Sequence, residues 1–271
     1  MKKLYLITTL LLTVAAVTLF TGCEEITGDK PTNVVLSAAT DTTVMITWAA
    51  PANAPDKYIV YFKALGQATY TNLDEVTTTT YTHDPAGATG DYYVTAKFGS
   101  NTYDSDVKTT IPIHEISAAV GELNATALSG YGWSRTDGAK ALYSMIATAS
   151  APNTDFYITN FASGFTATPY YIASPDVGRS SVDSTLVPAA TWRVNAISLP
   201  ITTSPITVLP QHSSTAYHNY QDIPAYPTYV AVKTADGYYA LVKVDGPPTA
   251  NGEVQIESWF QLVEGLRLIK H

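Results

Sequence analysis

Val44-Met45-Ile46-Thr47-Trp48 alternates strictly, with Val44, Ile46 and Trp48 on one face and Met45 and Thr47 on the other. Side chains of a strand point to opposite faces with a period of two, so this stretch reads as a half-buried strand. Pro51-Ala52-Asn53-Ala54-Pro55 ends it. Working outward, Val34-x-Leu36 precedes it, and Tyr58-x-Val60-x-Phe62 repeats the alternation downstream. Thr69 to Leu73, the Thr-rich Val76 to Thr82, Tyr92-x-Val94-x-Ala96 and Asp106 to Ile111 follow, with a turn-rich Asp84 to Asp91 between. Short strands separated by turn residues every ~8–12 positions predict an antiparallel sandwich over 31–113.

Taken together, Val44 to Trp48, Tyr58-Ile59-Val60-Tyr61 and Gly90-Asp91-Tyr92-Tyr93-Val94-Thr95-Ala96 resemble a fibronectin type III domain. The resemblance implies a core tryptophan at Trp48 and a corner tyrosine at Tyr92, with Tyr93 its rival. Thr77 to Thr80 departs from the family, which places a bulkier strand there, and leaves that strand's register open. No Arg-Gly-Asp triplet or exposed aromatic row marks this module as a binder, so the expectation is a spacer.

From 114 to 271 a second β-sandwich-like domain is expected, making the chain all-β. Ile116, Val120 and Leu123 fall near a helical period, which predicts one short helix at the junction. Strands are expected over Ala141–Thr148, Asp155–Phe161, Thr191–Leu199, Tyr229–Lys233, Tyr238–Val244 and Glu253–Phe260. Asp236-Gly237 between two alternating runs is a strong hairpin signal. The run Lys233 to Val244 before an amphipathic last strand resembles the C-terminal hairpin of HmuY-like haem-binding lipoproteins, which implies haem or metal capture. His212 and His218 are the candidate ligands for that chemistry, although a spacing of six in a loop has no helical or strand logic for chelation.

The segment 210–228 reads as a long loop, and long loops in compact domains are functional or disordered. It interleaves Tyr217, Tyr220 and Tyr226 with His218, Asn219 and Gln221. Flat aromatic area beside amides suits a sugar or another flat ligand such as haem, so Tyr217, His218, Tyr220, Gln221 and Tyr226 are the candidate ligand-binding residues.

The start of the chain carries Lys2 and Lys3, an uncharged apolar run from Leu4 to Phe20, and Thr21-Gly22 before Cys23, the sole cysteine. This resembles a bacterial lipoprotein signal, implying a leader over 1–22, lipidation of Cys23, and a membrane held through the lipid anchor as a partner. Residues 23–30 then form an acidic tether. Glutamates directly after the cysteine resemble the surface-export signals of some outer-membrane lipoproteins.

Loss of Lys2 and Lys3 with the leader takes the formal charge from −8 to −10, which argues against nucleic acid as a partner. Charged residues are only 14% of the chain, and Thr and Tyr are abundant, a balance that favours strand over helix. No Gly-x-Ser-x-Gly elbow, His-Glu-x-x-His helix, Walker loop or dinucleotide fingerprint occurs. No cofactor is expected. Asp104-Ser105-Asp106 falls far short of a calcium loop. The expected function is therefore a non-catalytic envelope lipoprotein that binds a glycan or a surface protein. Haem capture and polysaccharide processing by acids not yet paired are the alternatives.

Overall fold

A computed structural model describes residues 29–271. The expected leader, Cys23 and most of the expected tether lie outside the described residues. Eight strands build the first sandwich: β1 (Thr32–Ala38), β2 (Val44–Ala49), β3 (Lys57–Ala64), β4 (Thr71–Val76), β5 (Thr80–His83), β6 (Gly90–Phe98), β7 (Asn101–Asp104) and β8 (Lys108–Thr109). One sheet has the order β1-β2-β5; the other runs β4-β3-β6-β7, with β8 also on β6. This three-on-four arrangement is a fibronectin type III-like sandwich.

The alternation read from Val44 to Trp48 is realised, since Val44, Ile46 and Trp48 are buried while Met45 and Thr47 are half-buried. Trp48 meets Tyr58 edge-on at 5.3 Å between ring centroids. Burial also separates the two adjacent tyrosines. Tyr92 is wholly inside and its hydroxyl lies 2.9 Å from His83 Nδ1, whereas Tyr93 stands on the outer face. Strand β5 starts only at Thr80 and pairs Tyr81 with Ile46, so the register left open by the threonine run is set by Tyr81. The outer face carries a cluster that the alternation alone does not reveal. Pairing of β3 with β6 stacks Tyr61 on Tyr93 at 4.7 Å, Tyr70 adds an edge contact, and Lys63 sits over the Tyr70 ring. These rings are half-buried rather than an exposed row, and their grouping depends on cross-strand register, which the sequence does not show.

The second sandwich holds β9 (Ile113–Gly121), β10 (Gly130–Trp133), β11 (Lys140–Tyr143), β12 (Phe156–Thr159), β13 (Tyr171–Ala173), β14 (Ala196–Ser198), β15 (Tyr217–His218), β16 (Tyr220–Asp222), β17 (Thr228–Lys233), β18 (Tyr239–Val244) and β19 (Glu253–Gln261). The junction expected as a helix is strand β9. Its backbone pairs along β19 from Val254–Val120 to Phe260–Ile113, and Ile116, needed for an apolar helical stripe, is 70% exposed. A free edge of nine residues offers more hydrogen bonds than one short helix can make.

The sheets β11-β10-β12-β13-β16 and β15-β14-β17-β18-β19-β9 face one another. Their inner faces interdigitate through Tyr131, Trp133 and Phe156 from one side and Val230, Val242 and Phe260 from the other. Ser258 sits among these rings, where its hydroxyl accepts from Trp133 Nε1 at 3.0 Å and shares a hydrogen bond with Tyr131 Oη at 2.9 Å, which satisfies both polar tips. The Asp236-Gly237 turn joins β17 to β18 as expected, with Gly237 at φ +92°, a conformation that costs glycine nothing. Arg135 clamps that turn to the core: it bonds Asp236 and also the wholly buried Asp155, which Arg193 shares.

The last ten residues return to the first sandwich. Val263, Leu266 and Leu268 are buried in the same cluster as Trp48 and Tyr92, and Arg267 pairs with Asp41 at 2.8 Å. Residues 31–113 thus do not close their own core. The same segment sends Ile269 to the opposite side, under Tyr239, Leu241 and Trp259 of the second sandwich.

Candidate ligand groove

The stretch 210–228 is not a featureless loop. It carries β15 on the edge of the six-stranded sheet and β16 on the edge of the five-stranded one, with Asn219 as the crossing point. Pairing fixes both: His218 opposes Ile197, and Tyr220 opposes Ala173. The chain therefore steps from one layer of the sandwich to the other within three residues.

That step opens a groove of about 420 Å³ lined by Tyr171, Leu199, His218, Asn219, Tyr220 and Gln221, with Asp222 at its end. The volume falls within the ~300–1,000 Å³ usual for small-ligand sites. Tyr220 is 44% exposed, and its ring is held on edge by Tyr171 at 5.7 Å and Phe161 at 5.2 Å. The ring is thus fixed in place while part of it stays open to solvent. Gln221 is almost buried, and its amide is tied back to the Asp222 side chain. His218 and Asn219 are exposed.

Three of the five candidate residues therefore share one site: His218, Tyr220 and Gln221. Tyr217 does not join them. Strand alternation turns it to the other side, where it is buried against Leu209 and Trp259 and donates its hydroxyl to Pro210 O at 2.9 Å. Burial pushes its phenol well above the usual range. Tyr226 packs against the core between the two sheets, again with its phenol pushed up by burial.

The histidine pair is split for the same reason. His212 leans on the Tyr217 ring at 5.1 Å, and burial lowers its pKa, while His218 faces the groove. The two imidazoles do not converge as a ligand pair, and no group of three or more His, Cys, Asp or Glu suited to a metal occurs among the described residues. Tyr171, Leu199 and Phe161 were not singled out as binding residues. Tyr171 had a signal in the aromatic run Pro169-Tyr170-Tyr171; Leu199 and Phe161 had none, because only strand order brings them to this edge.

Elsewhere in the second sandwich the buried acids are already engaged. Asp155 accepts from Arg135, Arg193 and the Trp133 amide. Asp183 accepts from Tyr157 and Thr159, and Glu122 from the Asn124 and Asn160 amides. Burial raises the pKa of Asp183 and of Glu122.

No family model matches the chain, and no curated protein matches it. Among solved structures, a human collagen XX fibronectin type III domain is similar at 21% identity over 31% of this chain and 93% of that one, with a TM-score of 0.28. The FN5 domain of Drosophila Lar gives 18% identity over 30% and 91%, with a TM-score of 0.26. A two-domain type III segment of chicken tenascin gives 12% identity over 85% and 97%, with a TM-score of 0.24. Strand order and register, rather than these scores, carry the assignment of the fold as all-β with a fibronectin type III-like first sandwich.

Proposed function

We propose that this chain is a non-catalytic cell-envelope lipoprotein, anchored in the outer membrane through Cys23, whose second sandwich binds a glycan in the groove of Tyr171, His218, Tyr220 and Gln221. The first sandwich and the second are two domains, the former a spacer. The observation that carries this reading is the partly open Tyr220 ring, held on edge by Tyr171 and Phe161 beside polar groups. A sugar presents an apolar face to such a ring and hydroxyls to the neighbouring amide and imidazole.

Glycan-array binding without hydrolysis is the expected result, and Tyr220→Ala and Tyr171→Ala each weaken it by at least ~1 kcal/mol. A hemin titration with a Soret shift that His218→Ala abolishes would instead favour haem capture. For the anchor, labelled palmitate enters the chain in a bacterial host and Cys23→Ser abolishes labelling. Label that survives the substitution refutes the anchor.

A further inference from the structure

A second concavity of about 420 Å³ lies where the last residues meet the segment after β14. Its lining is chemically ordered. Ile201, Ile206 and Tyr229 supply an apolar floor continuous with the cluster around Trp259. Thr202, Thr203, Ser204 and Thr207 form a hydroxyl-bearing rim, and Lys270 and His271 complete the lining. The hydroxyls of Thr202, Thr203 and Ser204 make no hydrogen bond among the described residues, and Lys270 makes no ion pair there.

Thr202, Thr203 and Ser204 are exposed, so their hydroxyls are open to a ligand as they are to water. Lys270 shares its lack of an ion pair with Lys97, Lys108 and Lys233 among the described residues. Lys270 brings a positive side chain to this wall on a chain whose formal charge is −8. The walls are held firmly. Ile201 N bonds Tyr229 O at 2.8 Å, Ile269 N bonds Thr207 O at 2.8 Å, and Thr89 Oγ1 ties Lys270 O to the first sandwich at 2.7 Å.

We propose that this seam cavity binds a sugar acid. The carboxylate meets Lys270, ring hydroxyls meet the Thr202–Ser204 rim, and the apolar ring face rests on Ile201, Ile206 and Tyr229. The site is separate from the groove and does not depend on its function. A lysine acts here as a point charge that selects for an anion, and the hydroxyl rim selects for a polyol over a plain carboxylate.

Isothermal titration of the full chain with D-glucuronate, D-glucose and acetate tests the proposal. Glucuronate saturates, and glucose and acetate bind at least about tenfold more weakly. Lys270→Met weakens glucuronate about tenfold and leaves glucose unchanged. Thr203→Val, at an exposed position, weakens both sugars and leaves the melting temperature within about a degree. Absence of glucuronate binding at millimolar concentration overturns the proposal, as does equal affinity for glucose. Should Lys270→Met lower the melting temperature by several degrees, Thr203→Val decides alone, and an unaltered glucuronate affinity in that variant is refuting.

Discussion

Trp48 illustrates how much a single side chain can carry. It is 6% exposed, and its indole nitrogen has no hydrogen-bond partner among the described residues. A buried donor left unpaired costs ~1–3 kcal/mol, so the ring's packing must outweigh that loss. Trp48→Ala in the full chain should cost ~3–5 kcal/mol in denaturant titration, the range for large aromatics deleted from cores. Trp48→Phe should cost clearly less, because it keeps a ring and removes the orphan N–H. Equal losses for the two would show that the indole nitrogen has a partner after all. Tyr217 and Tyr220 form a second contrast, three positions apart. Tyr217→Ala should cost ~3–5 kcal/mol without touching ligand affinity, whereas Tyr220→Ala should cost about 1 kcal/mol or less and weaken binding. Composition made the tyrosines of 210–228 visible as a group. It could not sort them, since their roles follow from the strand, sheet and face on which each falls.

At the level of strands, the reading from sequence succeeds where alternation is long and fails where pairing decides. Val44–Trp48 and the β17–β18 hairpin are legible because one buried face imposes a period of two. Gly130–Trp133 escapes notice because all four of its residues are buried, two of them glycines, so no alternation survives. Strand β9 was misread because apolar spacing says nothing about an edge that lies more than a hundred residues away in sequence. The returning segment 262–271 was likewise hidden, since Val263, Leu266 and Leu268 look like a short apolar tail until their partners are known. This segment yields the sharpest test at this scale. Leu266→Ala should cost ~2–5 kcal/mol and should lower amide-exchange protection in β2, in a different sandwich. Protection lost only around β17–β19 would contradict the packing described.

For the molecule as a whole, two acids set opposing pH dependences. Burial pushes Asp236 up, but hydrogen bonds from Arg135 and Thr234 outweigh it and bring the pKa from 3.8 down to about 2. A depressed folded value contributes stability above 3.8 that is lost as pH falls towards 2. Asp183 is the reverse case. Burial raises its pKa despite the hydrogen bonds from Thr159 and Tyr157, so its contribution is full below 3.8 and is lost as pH rises through the raised value. Asp183→Asn should therefore flatten the fall in stability on the alkaline side of 3.8, and Asp236→Asn the fall on the acid side. Calorimetric profiles of the two variants that superimpose on the parent would refute both assignments. The shared segment 262–271 also has a consequence in time. A ribosome releases these residues after everything else described here, so Trp48 and Tyr92, made early, wait for Leu266 and Leu268 before their core is complete. The sandwich made first thus completes its core only with a segment made after the whole second sandwich, so its folding does not finish independently of that later segment.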